Sequence, residues 1–171
     1  MNLKEIMNAA EIMEGVLYRT PLVPAPWLSK KIGADVFLKL ENLQYTSSFK
    51  PRGALIKMLK LTSEQRQRGV VAMSAGNHAQ GVAFHAQRMK IPATIVMPIA
   101  TPSAKVERTK GYGATVILSG NNLAESEVKA RQLVDQGLTL IHPYDDEDII
   151  TGQGTVALEM LQDQPDLSVL I

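Results

Sequence analysis

The chain has 171 residues, 45% of them hydrophobic, and a formal net charge of +1. This length suits one ordinary domain or two small lobes with a hydrophobic core, and the nearly balanced charge gives no broad field that would attract nucleic acid or an acidic membrane. The absence of cysteine excludes disulfides, a thiolate nucleophile and a cysteine-based metal site.

No segment of the sequence predicts a secretion signal or a membrane span. The charged residues Lys4, Glu5, Glu11 and Glu14 interrupt the apolar pattern near the start, so no signal-peptide core is expected there. The longest apolar stretch, residues 91–101, contains two prolines and is far too short to cross a bilayer. We therefore expect a cytoplasmic protein, without a membrane or nucleic-acid partner.

The first part of the chain predicts short helices around one strand. Apolar residues recur at helical spacing over residues 3–13, which predicts an amphipathic helix ended by Gly15. Residues 21–26, bounded by prolines, indicate an extended connection. Residues 27–31 indicate a short helix, and the alternation of apolar and polar residues over residues 36–40 indicates a strand.

A lysine-bearing loop follows this strand. Because Pro51 disfavours helical backbone in the residue before it, Lys50 is expected just ahead of a helix. That helix is predicted over residues 53–61, and a second one over residues 63–68.

From Gly69 onward, strands and helices alternate regularly. Such alternation predicts an α/β fold, an open parallel sheet with right-handed crossovers and helices on both faces. The strands are predicted over residues 70–73, 93–97, 115–118 and 138–141, and the helices over residues 77–89, 102–110 and 123–136.

The last part of the sequence predicts a turn, a helix and the start of a further strand. Residues 145–148 indicate an acidic turn, and residues 151–154 lead into a helix over residues 155–161 that Pro165 ends. Residues 167–171 indicate a buried strand. Since a parallel strand normally feeds a crossover helix, we expect an incomplete sheet whose unpaired edge promotes self-association.

Lys50 is the first candidate for chemistry, in the run TSSFKPRGA. A lysine between Phe49 and Pro51, placed after a strand, can be partly desolvated, and its neutral amine can then form an imine. The charge of Arg52 disfavours a second positive charge nearby, which favours the same chemistry. A lone lysine is ordinarily a solvated surface residue, and the residues alone leave that alternative open.

The second candidate is the run SAGNHAQG, residues 74–81, which follows a predicted strand and opens a predicted helix. Free backbone N–H groups and the helix dipole make such a junction an anion site. Gly76 permits close approach of a ligand to the backbone, and Asn77 can donate a hydrogen bond to a phenolate oxygen. The alternative is an ordinary strand–helix turn, capped by a Ser or Asn side chain, that binds no ligand.

Other chemistries find little support in the sequence. The three histidines, His78, His85 and His142, lack the spacing of metal ligands, so no metal site is expected. His78 fits a helix residue turned to packing or solvent better than a base. The glycine pattern of a dinucleotide site does not follow any predicted strand, and there is no Walker loop.

Taken together, the two runs and the ENLQ segment at residues 41–44 resemble the serine/threonine dehydratase family. Members of this family are fold-type II pyridoxal-phosphate (PLP) enzymes, a group that also includes serine racemases. The resemblance extends over the whole chain, and two long motifs in the right order and spacing are a specific signal. It implies PLP as cofactor and a tryptophan synthase β-like fold in truncated form.

The resemblance also implies a role for each matching residue. Lys50 matches the catalytic lysine that holds PLP as a Schiff base and moves the substrate α-proton. Phe49 matches the residue that flanks the cofactor ring, and Asn77 matches the donor to its ring hydroxyl. The loop that would bind the substrate carboxylate carries Ser74, Ala75, Gly76 and His78.

The implied reaction is an α,β-elimination. L-Threonine or L-serine loses water, and the resulting enamine hydrolyses to a 2-oxo acid and ammonia, with the cofactor as electron sink. The implied partner is therefore a small amino-acid substrate. The family also implies a homo-oligomer, either a dimer or a tetramer.

The sequence departs from the family in two respects. Ser47 stands where the family usually has glycine, and its Cβ would be strained if that position needs a positive φ. The glycine-rich phosphate loop, and a later serine or threonine that faces the pyridine nitrogen, do not occur in the 171 residues.

These departures lead to an expectation about domain organisation. Residues 53–150 are expected to form a small α/β domain, and residues 1–52 and 151–171 an incomplete large cofactor domain, which makes the chain a truncated and inactive portion of the enzyme. The alternatives are a non-catalytic α/β fragment or truncated gene product, and a PLP enzyme of the serine racemase type.

Overall fold

The structure is a computed structural model that describes residues 2–171. Its helices and strands follow one another in nearly the predicted order. In this part of the chain the helices are α1 (Leu3–Met13), α2 (Pro26–Ile32), α3 (Lys50–Leu59), α4 (Ser63–Arg68), α5 (Asn77–Met89), α6 (Ser103–Gly111), α7 (Leu123–Asp135) and α8 (Glu147–Asp163), and the strands are β1 (Leu22–Pro24), β2 (Phe37–Lys39), β3 (Val70–Met73), β4 (Ala93–Met97), β5 (Thr115–Leu118) and β6 (Thr139–Leu140).

Four strands form the parallel sheet that the alternation predicts. Their order is β5–β4–β3–β6, and each neighbouring pair runs parallel. Val70 at the start of β3 pairs with Ala93 of β4 on one side and with Thr139 of β6 on the other. The α/β fold class expected from the sequence is therefore confirmed.

Helices cover both faces of this sheet. Because successive side chains of a strand point to opposite faces, neighbouring residues of β3 belong to different core clusters. Val70 packs in the larger cluster with Val82 of α5, whereas Val71 and Val96 pack with Ala130 of α7. The sheet is thus the middle layer of three.

α3 packs between α5 and α8, and α8 also packs against α1. Glycine allows the α3–α8 contact to be very close, since a Cβ on Gly152 would lie 2.6 Å from the carbonyl oxygen of Arg52. The segment around Gly152, predicted as a lead into a helix, is already helical. α8 begins at Glu147 because the Asp146 side chain accepts hydrogen bonds from the N–H groups of Asp148 and Ile149.

Two strand predictions differ from the structure. Residues 21–26, predicted as a connection, contain β1, which pairs antiparallel with β2 so that Leu22 lies opposite Lys39. Residues 167–171, predicted as a buried strand, form no strand, and Val169 is 69% exposed. A parallel strand exists only through hydrogen bonds to a neighbour, and these residues make none to the sheet within the described structure.

Within residues 2–171, none of the helices has the length and apolar character needed to cross a membrane.

A buried ion network joins the start of α3 to α8 and to the turn before α3. The Arg52 side chain is 1% exposed, and its guanidinium donates to Glu41 at 2.9 and 2.8 Å and to Glu159 at 2.6 and 3.0 Å. Lys39 Nζ lies 2.6 Å from Glu159 and donates to the Thr20 carbonyl at 2.6 Å. Burial would raise the pKa of Glu159, but the hydrogen bonds from Arg52 and Lys39 hold it below its ordinary value.

Ser47 adopts the strained backbone that its departure from glycine suggested. Its φ is 56°, in the left-handed region that non-glycine residues rarely occupy. The Ser47 N–H donates to the Gln44 carbonyl at 2.8 Å, which fixes the turn two residues before Phe49. The turn that leads to α3 therefore carries local strain.

We expect Arg52→Met to destabilise the fold by about 3–5 kcal/mol, because it leaves the partly buried Glu41 without its cation and the buried Glu159 with Lys39 alone. Urea unfolding followed by circular dichroism measures this change. Arg131→Met is the matched control, since the pair of Arg131 with Glu127 is exposed and contributes about 1 kcal/mol or less. Equal, small effects of the two substitutions would contradict the network's role.

We expect Ser47→Gly to raise the free energy of unfolding by about 0.5–1 kcal/mol. Relief of the left-handed strain stabilises the folded state by about 1–2 kcal/mol, and the greater conformational entropy of glycine in the unfolded chain offsets part of this gain. Ser103→Gly, at an exposed helix start with no positive φ, is the control and should give no gain. A loss of stability in Ser47→Gly would show that the serine side chain has a stabilising contact.

Candidate functional site

Lys50 is the first residue of α3, not a residue ahead of it. Phe49 is the N-cap and already has helical backbone angles, and its carbonyl accepts from the Arg52 N–H at 3.0 Å. Pro51 occupies the second helical position, where its missing N–H costs nothing. The helix therefore starts three residues before the predicted residue 53, because proline favours a helix start more than it disfavours helical backbone at Lys50.

The Lys50 amine is half-buried and points toward the loop after β6. Its Nζ donates to the Pro143 carbonyl at 2.7 Å and lies 5.1 Å from the centre of the Phe49 ring. Burial lowers the pKa of Lys50 from its usual value, because the charged form loses solvation. This raises the fraction of neutral amine at a given pH, which is what imine chemistry requires.

The run from Ser74 to Gly76 joins β3 to α5 at the carboxyl end of the strand. Gly76 is the N-cap of α5, and no side chain of the described residues caps this helix. The Ser74 hydroxyl instead accepts from the Gly76 N–H at 3.1 Å. The first N–H groups of α5 therefore remain available to an anion, which argues against the alternative of a side-chain-capped turn.

His78 is buried, with 3% of its surface exposed, and does not present a charged ring to a ligand. Its Nε2 lies 2.9 Å from the Ile141 carbonyl, which can only accept, so Nε2 carries the proton. Burial, together with the charges of Lys50 and His142, lowers the pKa of His78 to about 4. The ring is neutral, and its buried Nδ1 has no hydrogen-bond partner among residues 2–171.

Backbone contacts bring the two runs together. A Cβ on Gly81 would lie 3.0 Å from the Lys50 carbonyl carbon, so α5 touches the start of α3 directly. The segment after β6 contacts one side chain from each run, since the Ile141 carbonyl accepts a hydrogen bond from His78 and the Pro143 carbonyl accepts one from Lys50. These contacts lie beyond the carboxyl ends of β3 and β6, where open parallel sheets bind ligands.

The exposure of the other predicted residues varies. Phe49 is 40% exposed, and Asn77 is exposed at the first position of α5. The Asn77 side chain makes no hydrogen bond within the described residues, so its approach to the Lys50 cleft stays a prediction. Ser74, Ala75 and Gly76 are half-buried.

Sequence reasoning missed the carbonyl groups of Ile141 and Pro143 and the contact at Gly81. A signal was present, because residues 142–145 follow a predicted parallel strand, as Ser74 does, and therefore belong at the same sheet edge.

Within residues 2–171 no group of three or more histidine and acidic side chains could hold a metal ion. A cavity of about 440 Å³ lies between α1 and α8, and Lys50 does not line it.

Two curated proteins illustrate what this chain is similar to. An L-threonine dehydratase of Staphylococcus aureus is 49% identical over 165 residues, which are 95% of this chain and 48% of that protein. An L-threonine ammonia-lyase of Thermotoga maritima is 46% identical in an alignment of length 172 that covers 100% of this chain and 43% of that protein. The chain thus spans about half the length of the curated relatives it matches.

Solved structures share the fold. A serine racemase from Dictyostelium discoideum superposes with a TM-score of 0.89 at 35% identity, covering 98% of this chain and 55% of the racemase. The processed form of a threonine deaminase from Solanum lycopersicum superposes with a TM-score of 0.87 at 36% identity, covering 98% of this chain and 48% of the deaminase. Both agree with the resemblance drawn from the sequence.

A family model described as "Pyridoxal-phosphate dependent enzyme" matches residues 13–171, which include both the Lys50 and the Asn77 runs. With the relatives above, this match covers nearly the whole chain. The chain belongs to the family of pyridoxal-phosphate dependent enzymes.

Proposed function

We propose that this chain carries the reactive lysine, Lys50, and the loop that binds the substrate carboxylate in a PLP-dependent ammonia-lyase. The substrate is L-threonine or L-serine, and the products are a 2-oxo acid and ammonia. The observation that carries the proposal is the half-buried Lys50 amine of lowered pKa, held at the same sheet edge as the uncapped start of α5. The names of the similar dehydratase and ammonia-lyase support the substrate class.

The residues present fit PLP. Lys50 supplies a desolvated amine for attachment of the cofactor, Phe49 supplies an aromatic face beside that amine, and Asn77 supplies a side-chain donor for the ring hydroxyl. PLP, when bound, supplies the electron sink for loss of the substrate α-proton. The unpartnered Nδ1 of His78 is a further acceptor next to this site.

In this proposal the substrate carboxylate binds at the loop of Ser74, Ala75 and Gly76 and at the first N–H groups of α5. The helix dipole and the free N–H groups stabilise the negative charge there. Neutral His78 positions this loop through its bond to Ile141 and adds no positive charge. Lys50 moves the α-proton once its amine leaves the Pro143 carbonyl.

The proposal extends to the organisation of the protein. Residues 53–150 are the small domain, and residues 1–52 and 151–171 belong to the large cofactor domain. The working protein is a cytoplasmic homo-oligomer. Within the 171 residues no glycine-rich loop is available for the cofactor phosphate, so these residues alone should bind PLP weakly and turn over negligibly.

A second candidate function is racemisation of serine. The observation in its favour is the close fold similarity to serine racemases of Dictyostelium discoideum and maize, at 35% and 36% identity. The two functions differ in their products. A racemase forms D-serine from L-serine without loss of ammonia, whereas the proposed lyase releases ammonia in proportion to substrate consumed.

We expect a chimera, in which residues 1–171 replace the matching part of the Staphylococcus aureus dehydratase, to release 2-oxobutanoate from L-threonine. Lys50→Ala in this chimera should lower kcat by at least about three orders of magnitude, because no other amine replaces it in that geometry. The isolated 171-residue chain should show no turnover in the same coupled assay.

Lys105→Ala is the control in the chimera, because Lys105 is exposed on α6 and its removal should leave kcat unchanged. Undiminished 2-oxobutanoate release by the Lys50→Ala chimera would refute the assignment of Lys50. Formation of D-serine without ammonia would favour the racemase function. Normal turnover by the isolated chain would contradict the proposal that residues 1–171 alone lack a binding loop for the cofactor phosphate.

A further inference from the structure

We propose that Gly81 is a positioning residue for Lys50. Because residue 81 has no side chain, α5 can lie directly on the peptide between Lys50 and Pro51. A Cβ at this position would lie 3.0 Å from the Lys50 carbonyl carbon, 3.0 Å from the Pro51 nitrogen and 3.3 Å from the Lys50 carbonyl oxygen. All three are backbone atoms, which cannot rotate out of the way.

Helix geometry does not explain a glycine at this position. Gly81 lies in the interior of α5, where glycine costs about 0.5–1 kcal/mol relative to alanine. Its φ is not positive, so no left-handed backbone requires it. The close approach of another backbone is the remaining structural reason for glycine, and that backbone belongs to Lys50.

α5 connects this contact to the rest of the site. Gly81 lies about one helical turn after Asn77, so the helix whose start offers the anion site also rests on the Lys50 backbone. One turn further along, the buried ring of His85 lies near the Pro51 backbone. α5 thereby sets the distance between the start of α3 and its own N-terminus.

A displaced Lys50 backbone would change the environment of the amine. A shift of a few tenths of an ångström at residue 50 lengthens the 2.7 Å bond from Nζ to the Pro143 carbonyl and moves the amine toward solvent. Since burial is what lowers the pKa of Lys50, the amine should regain the titration of an ordinary lysine.

The test compares Gly81→Ala with Gly154→Ala in the cofactor-free chain. Gly154 is also an interior helix glycine, but a Cβ there would meet only side-chain atoms of Ile6, the nearest at 3.0 Å. Competitive acetylation with acetic anhydride across a pH series, read by mass spectrometry of the Lys50 peptide, gives the titration midpoint and the reactivity of this amine. Circular dichroism and urea unfolding report the fold of each variant.

We expect Gly81→Ala to raise the labelling midpoint of Lys50 toward that of exposed lysines and to increase its limiting labelling rate on the order of threefold. Gly154→Ala should leave both unchanged. Unchanged Lys50 labelling in a folded Gly81→Ala chain would overturn the inference. A Gly81→Ala chain that does not fold would also overturn it, because the contact would then hold the whole lobe and not the lysine.

A measurement on the unsubstituted chain tests the contact itself. A nuclear Overhauser effect between Gly81 Hα and Pro51 Hδ protons is expected, and its absence would contradict the inference. The inference rests on the proposed role of Lys50, but none of these readouts involves PLP or turnover. If Lys50 is not the reactive lysine, the chimera assay shows it. If Gly81 does not position Lys50, the acetylation of Lys50 shows it.

Discussion

The rest of the structure depends on one buried guanidinium, that of Arg52. It binds Glu41, which precedes the lysine-bearing turn, and Glu159, which lies in α8 more than a hundred residues away along the chain. A buried charge of this kind is tolerated only when it is fully paired, so the two carboxylates and Arg52 specify one arrangement of three segments. Lys50 lies two residues from Arg52, and its place in the molecule follows from this arrangement.

The candidate site combines this anchor with the edge of the parallel sheet. β3 delivers the uncapped start of α5, and β6 delivers the carbonyl groups of Ile141 and Pro143. An amine, an uncapped helix start and a neutral imidazole are thus brought to one edge of the sheet. This arrangement suits the proposed chemistry, in which a desolvated amine attaches the cofactor and an uncapped helix start binds the substrate carboxylate.

Much of the fold was predictable because it rests on local periodicity. The alternation from Val70 onward predicts the four parallel strands nearly to the residue, since the short apolar runs alternate with segments of helical periodicity. What failed depends on partners distant in sequence. β1 forms only because Leu22 pairs with Lys39 in β2. Gly152 obscured the true start of α8 in the sequence, because this glycine is needed for the close contact with α3 and not to end a helix. Residues 167–171 are apolar but have no neighbouring strand to pair with. For the site, motifs identified Lys50 and His78 as candidate residues, but the carbonyl partners of both lie in a segment without a recognisable motif.

The most direct test of the central claim is to find which amine of the chain reacts with PLP. The purified chain is incubated with PLP, reduced with borohydride and digested, and the phosphopyridoxyl group is located by peptide mass spectrometry. The account predicts that the label concentrates on Lys50 at substoichiometric PLP, because its amine has a lowered pKa and lies at the same sheet edge as the uncapped start of α5. A label spread evenly over the exposed lysines, with Lys50 unmodified, would contradict it.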